Sequence, residues 1–213
     1  MAKVDQLRED YQRGALERSD LIENPVLQFD AWISAAIKDQ LPEPNAMTLA
    51  TVDREGRPNA RIVLLKGFDE SGFVFYTNYE SAKAKDLTAN PYATLVFNWL
   101  AHERQVRIRG EVIKISKEET ARYFHSRPIG SQIGAWASPQ SQVIPDRWPL
   151  EARVESMQKK YADEASLPVP EHWGGYRVMA EEIEFWQGRS SRLHDRFRFR
   201  KTDGDWCIDR LAP

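Results

Sequence analysis

The sequence predicts an α+β fold, a small antiparallel barrel with peripheral helices. Three observations point there. Five short runs rich in β-branched and aromatic residues follow one another between residues 46 and 116, separated by turn signals such as "REGRP" and "DESG". Helical patterns cluster at the start and after these runs instead of alternating with every strand, as a parallel sheet would require. No repeat, low-complexity tract or linker divides the 213 residues, a length that suits one domain.

Taken in order, residues 3 to about 19 read as a charged, weakly amphipathic helix. "ENPVLQFDAWISAAIKDQ" is a clearer helix: Asn24 caps it, Pro25 fits its first turn, and Phe29, Trp32, Ile33, Ala36 and Ile37 form an apolar stripe. "LPEPNA" breaks it. Strands are expected in "AMTLATVD", "ARIVLLKGFD", "GFVFYTN", "YATLVFNWL" and "RQVRIRGEVIKIS". Between the third and fourth, "SAKAKDLTANP" reads as a short helix with a serine cap, stopped at Asn90-Pro91. "PLEARVESMQKKYADEA" is a further helix. "YRVMAEEIEFWQG", "SRLHDRFRFRK" and "DWCIDRL" return to strand, the last two joined by the "TDGD" hairpin signal. Cys207, in the final strand, is expected to be a small buried residue.

Composition narrows the function. The chain is 41% hydrophobic and 29% charged, yet its formal net charge is only -2, so it is not a general polyanion binder and no nucleic-acid partner is expected. The amino terminus lacks a signal-peptide core, and no run approaches the roughly 20 apolar residues of a membrane span, so a soluble cytoplasmic protein without a membrane partner is expected. One cysteine and four histidines without paired spacing leave no candidate metal site. Gly-x-Gly-x-x-Gly, the phosphate loop and the Gly-x-Ser-x-Gly elbow are all missing.

What remains are anion-binding groups among aromatics. "RIVLLKGF" carries Arg61 and Lys66 around four apolar residues; opposite parity on a regular strand sends them to opposite faces, so they either snorkel separately or serve a long ligand or two ligands. "FYTNYESAKAKDL" ends a strand with Tyr76 and Thr77 and starts a helix carrying Lys83, which suits a phosphate and equally suits an ordinary capped helix. In "RYFHSRPIGSQIGAWASPQSQ", Tyr123 and Arg127 lie four apart on a helix, with Ser131 close behind; phenol, guanidinium and hydroxyl can hold a dianion, or be a surface arginine beside a half-buried tyrosine. In "SRLHDRFRFR", a two-residue period puts Arg192, His194 and Arg196 on one side of an extended chain, where like charges repel unless an anion or an electron-rich ring faces them. Two phosphate-type ligand sets with planar aromatics and no hydrolytic machinery suit a flavin stacked on a phosphorylated substrate.

"RIVLLKGFDESGFVFYTN", "ERQVRIRGEV", "YFHSRPIGSQIGAWASPQS", "HWGGYRV", "IEFWQG" and "RLHDRFRFRKTDGDWCIDRLAP" closely resemble the pyridoxine/pyridoxamine 5′-phosphate oxidase family, over nearly the whole chain from "LREDY" onward. The carboxy-terminal segment is the most specific part, since broader split-barrel flavoproteins lack it. The resemblance implies a single FMN-binding split β-barrel domain over residues 1–213, working as a homodimer with FMN at the subunit interface. Within it, residues 1–20 would form a mobile segment able to fold over the site, and 170–213 a dimerisation and substrate-binding region. The implied reaction oxidises pyridoxine or pyridoxamine 5′-phosphate to pyridoxal 5′-phosphate while O2 becomes hydrogen peroxide.

Carried over by position, the resemblance implies FMN contacts at Arg61, Ile62, Val63, Leu64, Leu65, Lys66, Tyr76, Thr77, Lys83, Gln105, Gln140, Ser141, Trp186 and Arg196. Lys66, Tyr123, Arg127 and Ser131 would grip the substrate phosphate, and Arg192 and His194, the implied catalytic pair, would face the pyridine. Arg8 and Tyr11 match further substrate contacts. One departure is visible: where many relatives carry an arginine beside the phosphate-binding lysine, this chain has Ala82. A rival reading is a split-barrel protein that binds FMN or pyridoxal phosphate without turnover; Arg192 and His194 argue against it.

Overall fold

The computed structural model describes residues 6, 7 and 9–213. Nine strands make one antiparallel sheet: β1 (Ala46–Val52), β2 (Pro58–Leu64), β3 (Gly67–Asp69), β4 (Gly72–Asn78), β5 (Tyr92–Trp99), β6 (Arg104–Lys114), β7 (Trp173–Gln187), β8 (Asp195–Thr202) and β9 (Asp205–Leu211). The ladder runs β2-β1-β5-β6-β7-β4-β3. β7 has 15 residues and is shared: its first part pairs with β4 through Trp173–Val178, and its second part pairs with β8 through Glu182–Gln187. A register shift at Arg109/Gly110 separates the two halves on the β6 side. Gly110 is required there, because a Cβ would lie 1.8 Å from the Met179 carbonyl oxygen.

The expected α+β class holds, with a large antiparallel sheet and, among the described residues, five α-helices. Among the described residues no ladder joins the end strands β2 and β3. The Lys66 N–H donates to the Val74 carbonyl at 2.8 Å, which continues the β3–β4 pairing by one residue.

Helix α1 (Pro25–Lys38) packs its buried face on the sheet. Asn24 caps it as expected, its side chain accepting from the N–H groups of Val26 and Leu27. Phe29 is wholly buried and meets Phe68, Phe73 and Phe97 with ring centroids about 5 Å apart; Trp32 meets Phe185 edge-on. Ile37 departs from the predicted stripe and is 57% exposed. Helix α2 (Ala82–Ala89) joins β4 to β5. Helices α3 (Lys117–Ser126), α4 (Ile129–Ala137) and α5 (Trp148–Lys160) lie between β6 and β7 and share a second core of Phe124, Ile133, Leu167 and Trp173. Among the described residues no helix is long and apolar enough to cross a membrane.

Several expectations are corrected. The expected helix over residues 3–19 is absent from its described part, which has only a 3-10 turn at Arg18–Asp20. Its backbone N–H groups go elsewhere: Arg13 donates to Glu103 and Leu16 to Asp195, so the segment is held by distant carboxylates instead of its own carbonyls. "ARIVLLKGFD" is two strands, because the chain changes partner at Leu65 and Lys66. The expected strand over residues 191–194 is a connection, since Gln187 pairs with Asp195 and the chain must turn between them. Ser191 and Arg192 have φ of 55° and 62°, which ends any two-residue period. Cys207 is exposed, on terminal strand β9 that pairs on one side only.

Candidate active site

The break after β2 creates the main cavity. Arg61, Ile62, Val63 and Leu64 form one wall, and Lys66 lines the same space from beyond the break. The opposite-face expectation for Arg61 and Lys66 therefore fails, because no regular strand connects them. Tyr76 and Thr77 enter from the end of β4, Lys83 from α2, Tyr123 and Arg127 from α3 and its C-cap, Ser131 from α4, and Gln140 and Ser141 from the following loop. The cavity holds about 850 Å³, within the range of a cofactor-sized site.

One end is a buried cationic pole. Lys83 is only 8% exposed, and its ammonium donates to Thr77 Oγ1 at 3.1 Å, Gln140 Oε1 at 3.1 Å and Ser81 Oγ at 3.3 Å. Ser81 sits at the N-cap position of α2 without making the expected side-chain cap bond; its oxygen faces Lys83 instead. Burial and the neighbouring Arg61 push the Lys83 ammonium down to about 8. The Arg61 guanidinium is itself fixed, donating to Thr51 Oγ1 at 2.6 Å and to the buried Asp86 carboxylate at 3.3 Å. Thr51 in turn donates to Asp86 at 2.6 Å. A lysine and an arginine held close in a buried setting form a receptor for an anion with two charges.

The second pole is aromatic-walled. The Tyr76 and Tyr123 rings stack with centroids 3.9 Å apart, and Trp173 stacks on Tyr76 at 5.3 Å. The Arg127 guanidinium lies 4.7 Å from the Trp173 ring centroid and donates one Nη2 bond to the Ser131 carbonyl at 2.7 Å. Its Nη1 is buried with no partner among the described residues, a donor that an anion in the cavity would satisfy. Burial lowers the Arg127 pKa and raises that of the Tyr76 phenol to about 12.

A separate cluster surrounds the β7–β8 connection. Trp186 and His194 have ring centroids 4.5 Å apart, and Tyr11 meets Trp186 edge-on at 5.8 Å. Tyr11, Gln105 and Trp186 line a smaller cavity of about 340 Å³ with Arg104 and Glu103. Burial, then the nearby Arg192, lowers the His194 pKa, while Asp195 opposes the shift. Arg196 donates to the buried Glu184 at 2.9 Å, and Arg107 holds that carboxylate's other oxygen at 2.7 Å.

Two family models cover most of the sequence: "Pyridoxamine 5'-phosphate oxidase" matches residues 33–161, and "Pyridoxine 5'-phosphate oxidase C-terminal dimerisation region" matches 173–213. The chain belongs to the pyridoxamine 5′-phosphate oxidase family. Similar proteins include a pyridoxine/pyridoxamine 5′-phosphate oxidase from Acaryochloris marina, 55% identical over 99% of this chain and 95% of that one. Another, from Synechocystis, is 56% identical over 97% and 96%. Among solved structures, PhzG from Burkholderia lata superposes with a TM-score of 0.86 at 29% identity, covering 92% of this chain and 95% of that one. An FMN-binding protein from Nostoc punctiforme shares the fold, with a TM-score of 0.72 at 18% identity over 91% and 100%.

Of the residues that the family resemblance implies, most of those from Arg61 to Ser141 meet in the main cavity. Leu65 does not line it; its side chain is 5% exposed in the core. Gln105, Trp186, Arg192, His194, Arg196 and Tyr11 do not line it either. Arg8 lies outside the described residues. Trp173, Asn59, Asn78 and Ser138 line the cavity without having been singled out. The signal for Trp173 was the glycine pair after it. A Cβ on Gly174 would lie 2.2 Å from the Tyr79 hydroxyl, and one on Gly175 would lie 2.9 Å from the Tyr76 ring, so β7 must begin with bare backbone there.

Proposed function

We infer that this chain is a pyridoxine/pyridoxamine 5′-phosphate oxidase that uses FMN. The observation that supports this most is one cavity with a cationic pole at Arg61 and Lys83 and an aromatic-walled pole carrying Arg127, with Lys66 lining the same space. The donor set fits the group: a buried ammonium and a fixed guanidinium for one phosphate, an orphaned guanidinium nitrogen for another. Arg61, Thr77, Lys83, Gln140 and Ser141 would hold FMN with the β2 backbone at Ile62–Leu64. Lys66, Tyr123, Arg127 and Ser131 would hold the substrate phosphate. When bound, the flavin supplies two-electron acceptance from the substrate C4′ carbon and passes the electrons to O2, giving hydrogen peroxide.

The chain's residues position and exclude. The phosphate clamp would fix one end of the substrate, so that the reacting carbon would be held facing its electron acceptor. His194 orients the pyridine through its oxygen substituent, and Arg192 stabilises charge developing near C4′. These two, with Gln105, Trp186 and Arg196, line no part of the main cavity of their own chain. We therefore assign them to the site of a second copy, with residues 170–213 as the dimerisation and substrate-binding region. Leu193, 70% exposed, and Ile62, 65% exposed, are apolar side chains that such an interface would cover. On this reading the open sheet is the family's split barrel, the chain is one domain, and the segment from Tyr11 to Leu16 closes over the β7–β8 connection.

The test is direct. The purified protein should be yellow, bleach anaerobically on addition of pyridoxine 5′-phosphate, and release hydrogen peroxide when air returns. A colourless protein that ignores added FMN refutes the reading.

A further inference from the structure

The connection between β7 and β8 contains a hydrogen bond with a chemical consequence. The backbone N–H of Arg189 lies 3.1 Å from His194 Nδ1 and can only donate. Nδ1 must then accept, which leaves the ring proton on Nε2 and leaves no room for a second proton at Nδ1. The geometry is braced from outside. The Arg189 guanidinium donates at 2.9 Å to Asp195, a carboxylate only 9% exposed that also accepts from Arg210 at 2.9 Å and from the Leu16 N–H at 3.1 Å. Trp186 packs on the imidazole from one side.

We propose that Arg189 and Asp195 are positioning residues that hold the Arg189 N–H on His194 Nδ1, so that His194 meets the substrate as a neutral Nε2–H donor. This rests on the oxidase reading for the identity of the ligand, and it assigns His194 a definite role there. A ring fixed with its proton on Nε2 can donate to the anionic oxygen of a hydroxypyridine. It cannot serve as a general base through that nitrogen. The depression of the His194 pKa by burial and by Arg192 agrees with a neutral ring at pH 7.

The experiment is long-range ¹H–¹⁵N correlation on histidine-labelled holoenzyme, with His194→Gln to assign the signal. The wild type should show the Nε2–H tautomer at pH 7.5. Asp195→Asn and Arg189→Met should each yield a tautomer mixture, with kcat/KM lowered at least about tenfold and FMN affinity unchanged. Arg189→Lys, which keeps a cation for Asp195, should restore the single tautomer. If Asp195→Asn does not fold, Arg189→Met carries the test, since that side chain is 40% exposed. A wild-type Nδ1–H tautomer overturns the proposal, and so does a tautomer unmoved in both variants. The expected tautomer pattern in an enzyme without oxidase turnover would uphold the positioning and refute the functional reading instead.

Discussion

Replacing Lys83 with methionine separates what this residue does for binding from what it does to stability. The ammonium, at about 8 in the folded protein, sits well below the ordinary lysine value because it is buried beside Arg61. Between about pH 8 and 10.5 the unfolded chain therefore binds the proton that the flavin-free fold gives up. Flavin-free stability rises with pH across that window, and the full cost, roughly 3 kcal/mol, is present below it. Lys83→Met removes that cost but leaves the fully buried Ser81 hydroxyl without its partner, which costs about 1–3 kcal/mol. The flavin-free variant should melt at pH 7 within a few degrees of wild type or higher. Its FMN dissociation constant should rise about 10- to 150-fold, from loss of one charge-assisted bond of about 1.5–3 kcal/mol. Flavin fluorescence quenching across pH 7–9.5 is the assay, a range where the phosphate is already a dianion. Wild-type affinity should be flat to about pH 8 and then weaken toward tenfold per unit, while Lys83→Met shows no such slope. A wild-type affinity flat through pH 9.5, or a variant constant within twofold of wild type, refutes the anion-receptor reasoning.

Three further outcomes are expected. Arg127→Ala should raise KM for pyridoxine 5′-phosphate at least about tenfold with kcat little changed; steady-state kinetics showing loss confined to kcat contradict the clamp. Arg192→Leu should lower kcat/KM strongly while the flavin spectrum stays that of a loaded enzyme, and activity falling only in step with lost flavin counts against its role. Ala82 lines the main cavity, so Ala82→Arg should tighten FMN binding by one charge-assisted contact, about tenfold or more; an unchanged dissociation constant in the same titration argues that the position does not reach the phosphate.

Much of the strand framework was legible because its signals are local. Asn24 and Pro25 announce α1, alternation marks β1, β5 and β6, and "TDGD" marks the last hairpin. What failed depended on distant partners. The amino-terminal segment looks helical until Glu103 and Asp195 capture its N–H groups. Arg192 and His194 look like strand neighbours until the pairing of Gln187 with Asp195 places them in a turn. The Arg61–Lys66 segment gave the right chemistry with the wrong geometry, because periodicity cannot report a change of strand partner at Leu65. Of the main cavity, the charged and hydroxyl residues were readable by type. Asp86 and Thr51, which aim Arg61, were not, since neither stands near it in sequence.

The shared strand β7 works as a ruler. Trp173, in the wall of the main cavity, and Trp186, beside His194, lie near its two ends. At about 3.3 Å per residue they are roughly 40 Å apart along the chain. On the two-copy reading proposed above, half-sites that far apart along one strand serve different ligands, and each chain would own two incomplete halves. On that reading dilution would act as an off switch, since a separated chain would lack the half that a second copy supplies.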